Sequence, residues 1–291
     1  MNKLIVSVLV FNLIFSGCQS NFSDILHPGT DSTSNGETVA PKTDTIFGMP
    51  YGTDPLQNIE VYLPANRTAK TKTIVYLHGG AWYAGDKEEA IQTAIYFQKK
   101  GYAYIAMNYR LTKDPSNINP AQTQDIEKLL NLVSGKQSEW NISADKICLF
   151  GASAGGNLSL LYAYKYKEDT RVKAVISASG PTDLTDSTIL SGVLQPYIQA
   201  FIGLPYSKEN EKAYLEASPS NYLAKNCVPT LFFHGTSDET VPYLQVVSAY
   251  NILKNDGVNV ELKLFERSGH DLTSVNDEML LDMEKFLKTA Y

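Results

Sequence analysis

Residues 148–156 read "CLFGASAGG", a short apolar run that stops at a serine surrounded by glycines and alanines. Glycine and serine are common in turns, so a purely structural reading of this stretch exists. The functional reading is a nucleophile elbow, a strained strand-to-helix turn that exposes a serine and requires small neighbours. The G-x-S-x-G pattern is weak support when it stands alone. Ser153 is therefore a candidate nucleophile that needs support from the rest of the chain.

The segments around this turn alternate between apolar runs and helical patterns. Strands are predicted at 58–64, 73–80, 102–109, 146–153, 172–179, 229–235 and 258–266, and helices at 87–100, 120–134, 154–167, 243–255 and 274–288. Apolar strands separated by helices predict an α/β fold, with a mostly parallel central sheet and helices on both faces. Ligands of such folds bind at the carboxyl ends of the strands, which is where candidate residues must be sought.

Three further groups stand just past the ends of predicted strands. The sequence "HGGAW" (78–82) ends one strand, "TSDETVP" with Asp238 follows another, and "RSGHDL" with His270 follows a third. The order Ser153, Asp238, His270 is the order of nucleophile, acid and base in α/β-hydrolases. A serine needs a base within hydrogen-bond reach, and an acid holds the tautomer of that base. These three residues are the predicted catalytic set.

Other histidines and acids fit these roles less well. His27 lies in a polar N-terminal segment, His78 is placed to brace the glycine loop, and His234 reads as a packed residue at a strand end. Among the acids, Asp183 and Asp186 come too early in the chain to be the catalytic acid. Asp256 belongs to a helix–strand turn, and Asp271 adjoins His270 and is expected to point away from its ring.

Taken together, "HGGAW", "GASAGG", "SGPTDL", "HGTSDETVP" and "SGHD" resemble the small α/β-hydrolase esterases with an HGG-x-W oxyanion motif. That group includes relatives of hormone-sensitive lipase, acetyl-xylan and feruloyl esterases, and kynurenine formamidases. The resemblance covers roughly residues 46–291. It implies the α/β-hydrolase fold and an oxyanion hole built from the N–H groups of Gly80, Ala81 and Ala154. Trp82 would line the substrate pocket, although an aromatic that caps the core beneath the loop is an equal alternative.

The resemblance implies a serine carboxylic-ester hydrolase that acts on short acyl esters, among them acetyl groups on plant polysaccharide, without a metal or other cofactor. The substrate would be a small-molecule or polysaccharide-linked ester. Three alternatives stay open: a serine peptidase of the prolyl-oligopeptidase type, an arylformamidase, and a binding protein without activity. Residues 182–226 would form either a small lid or connecting helices at the sheet edge.

The N-terminal residues predict export. Lys3 and the apolar run from Leu4 to Phe15 are typical of a signal peptide, here 1–17. Ser16 and Gly17 precede Cys18 as in the lipobox of bacterial lipoproteins, so Cys18 is a candidate for lipidation and for anchoring to the cell envelope. The polar segment 18–45 reads as a flexible tether, and 46–291 as the catalytic domain.

The composition excludes one class of partner. The formal net charge of the chain is −6 and no basic patch stands out, so nucleic acid is not an expected partner. With Cys18 assigned to lipid, Cys148 and Cys227 read as two buried thiols, and no Cys/His cluster has the spacing of a metal site.

Overall fold

A computed structural model of the protein describes residues 40–291. The predicted signal peptide, Cys18 and most of the predicted tether lie outside the described residues. Within the described part, eight strands form one sheet. The strands are β1 (Asp44–Pro50), β2 (Asn58–Leu63), β3 (Thr73–Leu77), β4 (Ala103–Met107), β5 (Ile147–Ala152), β6 (Val172–Ala178), β7 (Thr230–Gly235) and β8 (Val260–Phe265).

The helices of the described part lie between and after these strands. They are α1 (Ile91–Lys99), α2 (Ala121–Trp140), α3 (Ala154–Lys165), α4 (Ser187–Ser191), α5 (Gln195–Ile202), α6 (Glu211–Glu216), α7 (Leu244–Asn255) and α8 (Asn276–Thr289). Short 3₁₀ turns lie at Lys87–Ala90, Pro219–Tyr222 and Thr273–Val275.

The sheet order is β1-β2-β4-β3-β5-β6-β7-β8. β1 pairs antiparallel with β2 and β2 with β4, whereas every pair from β4 to β8 is parallel. Side chains alternate between two apolar layers, so that Val75 packs with Leu129 of α2 and Leu158 of α3, while Tyr76 packs on the other face with Phe97 of α1. The predicted α/β-hydrolase architecture, mostly parallel and covered by helices on both faces, is confirmed.

Two elements differ from the prediction. β1 is not among the predicted strands, and it is an edge strand whose Phe47 is 68% exposed. A register shift between Ile46 and Met49 breaks its alternation, which removes the pattern by which a strand is recognised. α2 runs past its predicted end at 134 to Trp140, where Asn141 turns left-handed (φ 52°).

Residues 182–226 form α4, α5, α6 and the 3₁₀ turn at Pro219–Tyr222. Ile189, Ile198 and Tyr214 from these helices are buried in the same apolar layer as α2 and α3. This packing favours connecting helices over a loosely attached cover, and the predicted lid stays a prediction.

The predicted buried thiols are confirmed, since Cys148 and Cys227 are free and buried. Among residues 40–291, no helix is both long enough and apolar enough to span a bilayer.

Candidate active site

Ser153 occupies a strained turn between β5 and α3. Its backbone has φ 51° and ψ −116°, a region that residues with a side chain rarely adopt. The turn is held because the Ser153 N–H donates to the Ala178 carbonyl at 2.7 Å. A Cβ on Gly151 would stand 2.0 Å from the Gly155 carbonyl oxygen, and one on Gly155 would stand 2.1 Å from the Leu77 carbonyl oxygen. The small neighbours of the serine are therefore a packing requirement.

The three predicted catalytic residues are brought together in one chain of hydrogen bonds. His270 Nε2 lies 2.8 Å from Ser153 Oγ, and His270 Nδ1 lies 2.8 Å from Asp238 Oδ2. A carboxylate only accepts, so the hydrogen of the His270 ring lies on Nδ1 and Nε2 faces the serine hydroxyl as an acceptor. The Ser153 Oγ–H then donates to Nε2, which is the arrangement that a general base requires.

The Asp238 carboxylate is buried and fully bonded. Its Oδ1 accepts from the N–H groups of Thr240 and Val241, each at 2.8 Å, and its Oδ2 faces His270 and His234. Burial raises the pKa of this carboxyl, but hydrogen bonds from His234 and His270 outweigh burial and hold the pKa well below its usual value. Asp238 is thus a carboxylate at neutral pH.

His234 is the member of the site that the sequence prediction missed. It is the last residue but one of β7, near the strand end as expected, yet its Nε2 lies 3.0 Å from Asp238 Oδ2 and 2.9 Å from the Val241 carbonyl oxygen. Its ring is fully buried. In the sequence, only the spacing of four residues between His234 and Asp238 could indicate this contact. That spacing predicts the contact only if the loop is already known to fold back on the strand end.

The loop after β3 has an unusual backbone. Gly80, Ala81 and Trp82 are three successive residues with positive φ, at 95°, 54° and 58°. The loop closes because the Tyr83 and Ala84 N–H groups both donate to the Gly80 carbonyl, at 3.0 and 2.9 Å. Among the turn and loop hydrogen bonds of residues 40–291, none uses the N–H of Gly80 or Ala81.

His78 braces this loop, as its position predicts. Its Nδ1 donates to the Gly79 carbonyl at 2.7 Å, and its ring stacks on Tyr109 at 4.3 Å between centroids. The Tyr109 hydroxyl in turn donates to the His78 carbonyl at 2.9 Å. Burial lowers the pKa of His78 to about 4, so the ring is neutral at neutral pH and serves the loop as a structural support.

The elbow and this loop are neighbours because β3 and β5 are adjacent, with Leu77 paired to Gly151. Ala154 opens α3, where the first N–H groups of a helix lack intrahelical partners. The N–H groups of Gly80 and Ala81, after β3, and that of Ala154, after β5, therefore lie at the ends of two adjacent strands.

Trp82 lies beneath the loop and not on its surface. Its side chain is fully buried and stacks on Phe201 of α5 at 4.6 Å and 6° between ring planes. Of the two sequence interpretations, this burial favours the aromatic that caps the core, and a contact with substrate stays a prediction.

The acids set aside from the sequence have local partners. Asp271 accepts from Thr273 N at 3.2 Å, Asp183 from Thr185 N at 2.8 Å, and Asp186 caps α4. Within residues 40–291, no group of three or more His, Cys, Asp and Glu residues is arranged to hold a metal ion.

The chain is similar to known esterases. The probable carboxylic ester hydrolase LipM of Mycobacterium tuberculosis (strain ATCC 25618 / H37Rv) is 28% identical over 241 residues, which cover 77% of this chain and 56% of LipM. Kynurenine formamidase of Danio rerio is 25% identical over 207 residues, covering 69% of this chain and 65% of that enzyme. The chain thus spans less than two thirds of the length of these relatives.

A truncated carbohydrate esterase from gut microbiota has the same fold, with a TM-score of 0.72 and 22% identity over 84% of this chain and 95% of that one. The model of the BD-FAE family matches residues 59–253, which include the loop at 78–82, Ser153 and Asp238. The chain belongs to the BD-FAE family, within the carboxylesterase group of the α/β-hydrolases.

Proposed function

We propose that the protein hydrolyses carboxylic esters with Ser153 as nucleophile. The observation that carries the proposal is the unbroken chain Ser153–His270–Asp238, with 2.8 Å at both links. A free serine hydroxyl is a weak nucleophile at neutral pH, and this arrangement supplies the base that activates it. The strained turn at Ser153 adds support, because such strain concentrates at functional sites.

The reaction would run in two steps. Ser153 Oγ attacks the ester carbonyl while His270 Nε2 takes the hydroxyl proton, and the imidazolium then gives that proton to the departing alcohol. The acyl group stays on Ser153 as an ester. Water attacks this acyl-enzyme with His270 again as base, which releases the carboxylic acid and restores the hydroxyl. Asp238 keeps the imidazole oriented and stabilises the imidazolium in both steps.

We assign the oxyanion donors to Gly80, Ala81 and Ala154. Negative charge develops on the carbonyl oxygen during attack, and N–H groups that already point there stabilise it. Support comes from the two unengaged N–H groups of the loop and from the first N–H of α3, next to the serine. Loss of one such donor typically costs about 3–4 kcal/mol in the barrier.

We propose short acyl groups as substrates. Trp82 and Phe201 stack on each other in the core next to the loop, and we expect this packing to leave room only for a short acyl group. The alcohol part would be larger and lie towards solvent, as in an acetylated polysaccharide. The similarity to a carbohydrate esterase agrees with this substrate class.

The test is hydrolysis of p-nitrophenyl acetate by wild type and Ser153→Ala. We expect Ser153→Ala to keep the fold and to lose nearly all turnover, because the triad acts as a unit. Ser191→Ala, at the exposed end of α4, is the matched serine control and should keep wild-type kcat. A fluorophosphonate should label wild type at Ser153 and leave Ser153→Ala unlabelled. Wild-type turnover in a folded Ser153→Ala variant would falsify the proposal.

A second candidate is hydrolysis of aryl formamides. Its support is the 25% identity to a kynurenine formamidase over 69% of this chain. The peptidase alternative has similar support, from 27% identity to an acylamino-acid-releasing enzyme over 66% of this chain. The same attack would release formate and an arylamine. Rates on a formanilide, an aminoacyl nitroanilide and a matched acetate ester separate the three activities, and kcat/KM for the ester should be the highest.

We also propose that Cys18 carries a lipid that anchors the protein to the bacterial cell envelope, on its periplasmic or cell-surface side. The support comes from the sequence alone, through the apolar run Leu4 to Phe15 and the small residues Ser16 and Gly17.

A further inference from the structure

We infer that His234 is a positioning residue that fixes the Asp238 carboxylate for the proposed hydrolysis. This inference rests on the proposed function, since Asp238 is the acid of the catalytic set. His234 itself stands behind Asp238 and does not touch the reacting atoms. Its Nε2 lies 3.0 Å from Asp238 Oδ2, the same oxygen that His270 Nδ1 contacts at 2.8 Å.

The hydrogen on His234 lies at Nε2. Both atoms that face this nitrogen, Asp238 Oδ2 at 3.0 Å and the Val241 carbonyl oxygen at 2.9 Å, only accept hydrogen bonds. The N–H is therefore shared between a side chain and the backbone of one loop. Nδ1 is buried without a partner among residues 40–291, so every described hydrogen bond of the ring passes through Nε2.

This shared bond ties the acid to the sheet. The Oδ1 atom of Asp238 is bonded to Thr240 and Val241, which belong to the same loop and would move with it. His234 belongs to β7, where it pairs in register with Leu264 of β8. The ring thus joins the loop to a strand at two points, the carboxylate and the Val241 carbonyl. Without the ring, the loop would still be bonded to the strand end through the Asp238 N–H and the Gly235 carbonyl at 3.3 Å. The Asp238 carboxylate, however, would keep only its contacts with its own loop and with His270.

Burial makes this link strong. The side chains of His234 and Asp238 are both fully removed from solvent, so water cannot replace the donor when it is lost. Hydrogen bonds to charged groups are among the stronger ones in proteins, and an unsatisfied buried acceptor carries a desolvation cost. Loss of the His234 donor leaves Oδ2 with His270 as its remaining partner among these contacts, so that only the loop N–H groups on Oδ1 and His270 itself then set the plane of the carboxylate.

The first comparison is between His234→Leu and His234→Gln. Leucine removes the donor, whereas glutamine carries an amide N–H near the position of Nε2. We expect His234→Leu to lower kcat about 10- to 100-fold with KM within a factor of two, because Asp238 does not touch the substrate. We expect His234→Gln to return kcat to within about 5-fold of wild type. If both variants lose kcat equally, the ring acts by filling space and the inference is wrong.

A double-mutant cycle with Asp238→Ala separates positioning from general damage. If His234 acts through Asp238, His234→Leu changes kcat less than 2-fold in the Asp238→Ala background, although it costs about 10-fold or more in wild type. The same fold-loss in both backgrounds overturns the inference. If His234→Leu does not fold, the pair His234→Gln and His234→Asn replaces it, since the asparagine amide stands near Nδ1 and does not reach Oδ2.

The two proposals fail in different ways. No ester hydrolysis by wild type, or unchanged hydrolysis by Ser153→Ala, removes the proposed function and the inference with it. Hydrolysis by wild type that depends on Ser153, together with wild-type kcat in folded His234→Leu, overturns the inference alone.

Discussion

The close approach of α3 to the end of β3 leaves no room for a side chain at Gly155. A Cβ at Gly155 would stand 2.1 Å from the Leu77 carbonyl oxygen and 2.6 Å from that of His78. Both carbonyls are backbone atoms, so no side chain can rotate away to make room. To reach ordinary contact at about 3.4 Å, helix and strand end must separate by about 1.3 Å at this point.

Gly155→Ala should therefore damage stability and catalysis together. An overpacked core position costs about 1–3 kcal/mol in the free energy of unfolding. The same shift moves Ser153 and Ala154 away from the loop at 78–82, and a misplacement of about 1 Å costs on the order of 100-fold in rate. We expect both losses in Gly155→Ala.

Gly135→Ala is the matched control, because it makes the same chemical change inside a helix. Gly135 lies exposed in α2, and a Cβ there would meet no atom within 4 Å. Replacing a helical glycine with alanine should stabilise the protein by about 0.5–1 kcal/mol and leave kcat unchanged. Urea unfolding and p-nitrophenyl acetate kinetics measure both effects. Wild-type stability and kcat in Gly155→Ala would refute the packing argument.

Three further predictions concern pH, substrate length and location. Burial raises the pKa of Glu89 to about 7, so the contribution of this carboxyl to stability is present below the ordinary value of 4.5 and is lost as pH rises through 7. Urea unfolding at pH 5 and pH 8 measures this effect, and Glu89→Gln should lose less stability between these two pH values than wild type. An equal loss in both proteins would contradict the raised pKa of Glu89. Over p-nitrophenyl esters of two to twelve carbons, kcat/KM should peak at acetyl to butyryl, because we expect the packed Trp82 and Phe201 rings to leave no room to bury further methylenes, each of which would contribute about 0.8 kcal/mol. A maximum at eight carbons or more would indicate a lipase. In detergent phase partitioning, wild type expressed in bacteria should enter the detergent phase, whereas the Cys18→Ala variant should enter the aqueous phase. If both proteins enter the aqueous phase equally, Cys18 carries no lipid anchor.

The sequence predicted the parts of the site that depend on local chemistry. Ser153 is recognisable because the strained turn requires small residues at fixed positions around the serine, and the sequence from Gly151 to Gly156 has small residues at those positions. Buried parallel strands such as β3 and β5 were recognisable because they are continuous apolar runs.

What the sequence could not predict depends on the path of the chain in space. The contact between His234 and Asp238 exists because the loop after β7 returns to its own strand end, and the spacing of four residues does not specify that path. The predicted end of α2 at 134 precedes Gly135, a residue type that often ends helices. Here the helix continues because Trp140 is buried in the core and Asn141 supplies the left-handed stop.

The side chains of the proposed catalytic triad differ in what holds them. Ser153 is fixed by its own backbone, in a turn between two buried elements that cannot relax without moving α3. Asp238 is fixed by four hydrogen-bond contacts, one of them from a buried strand residue. His270 follows β8, an edge strand that is only partly buried, and its side chain is 13% exposed. His270 is thus the most exposed of the three, and Asp238 contacts its Nδ1 at 2.8 Å. Because His270 lies after an edge strand, its orientation benefits from a firmly held Asp238, and the contact from His234 is one of those that hold this carboxylate.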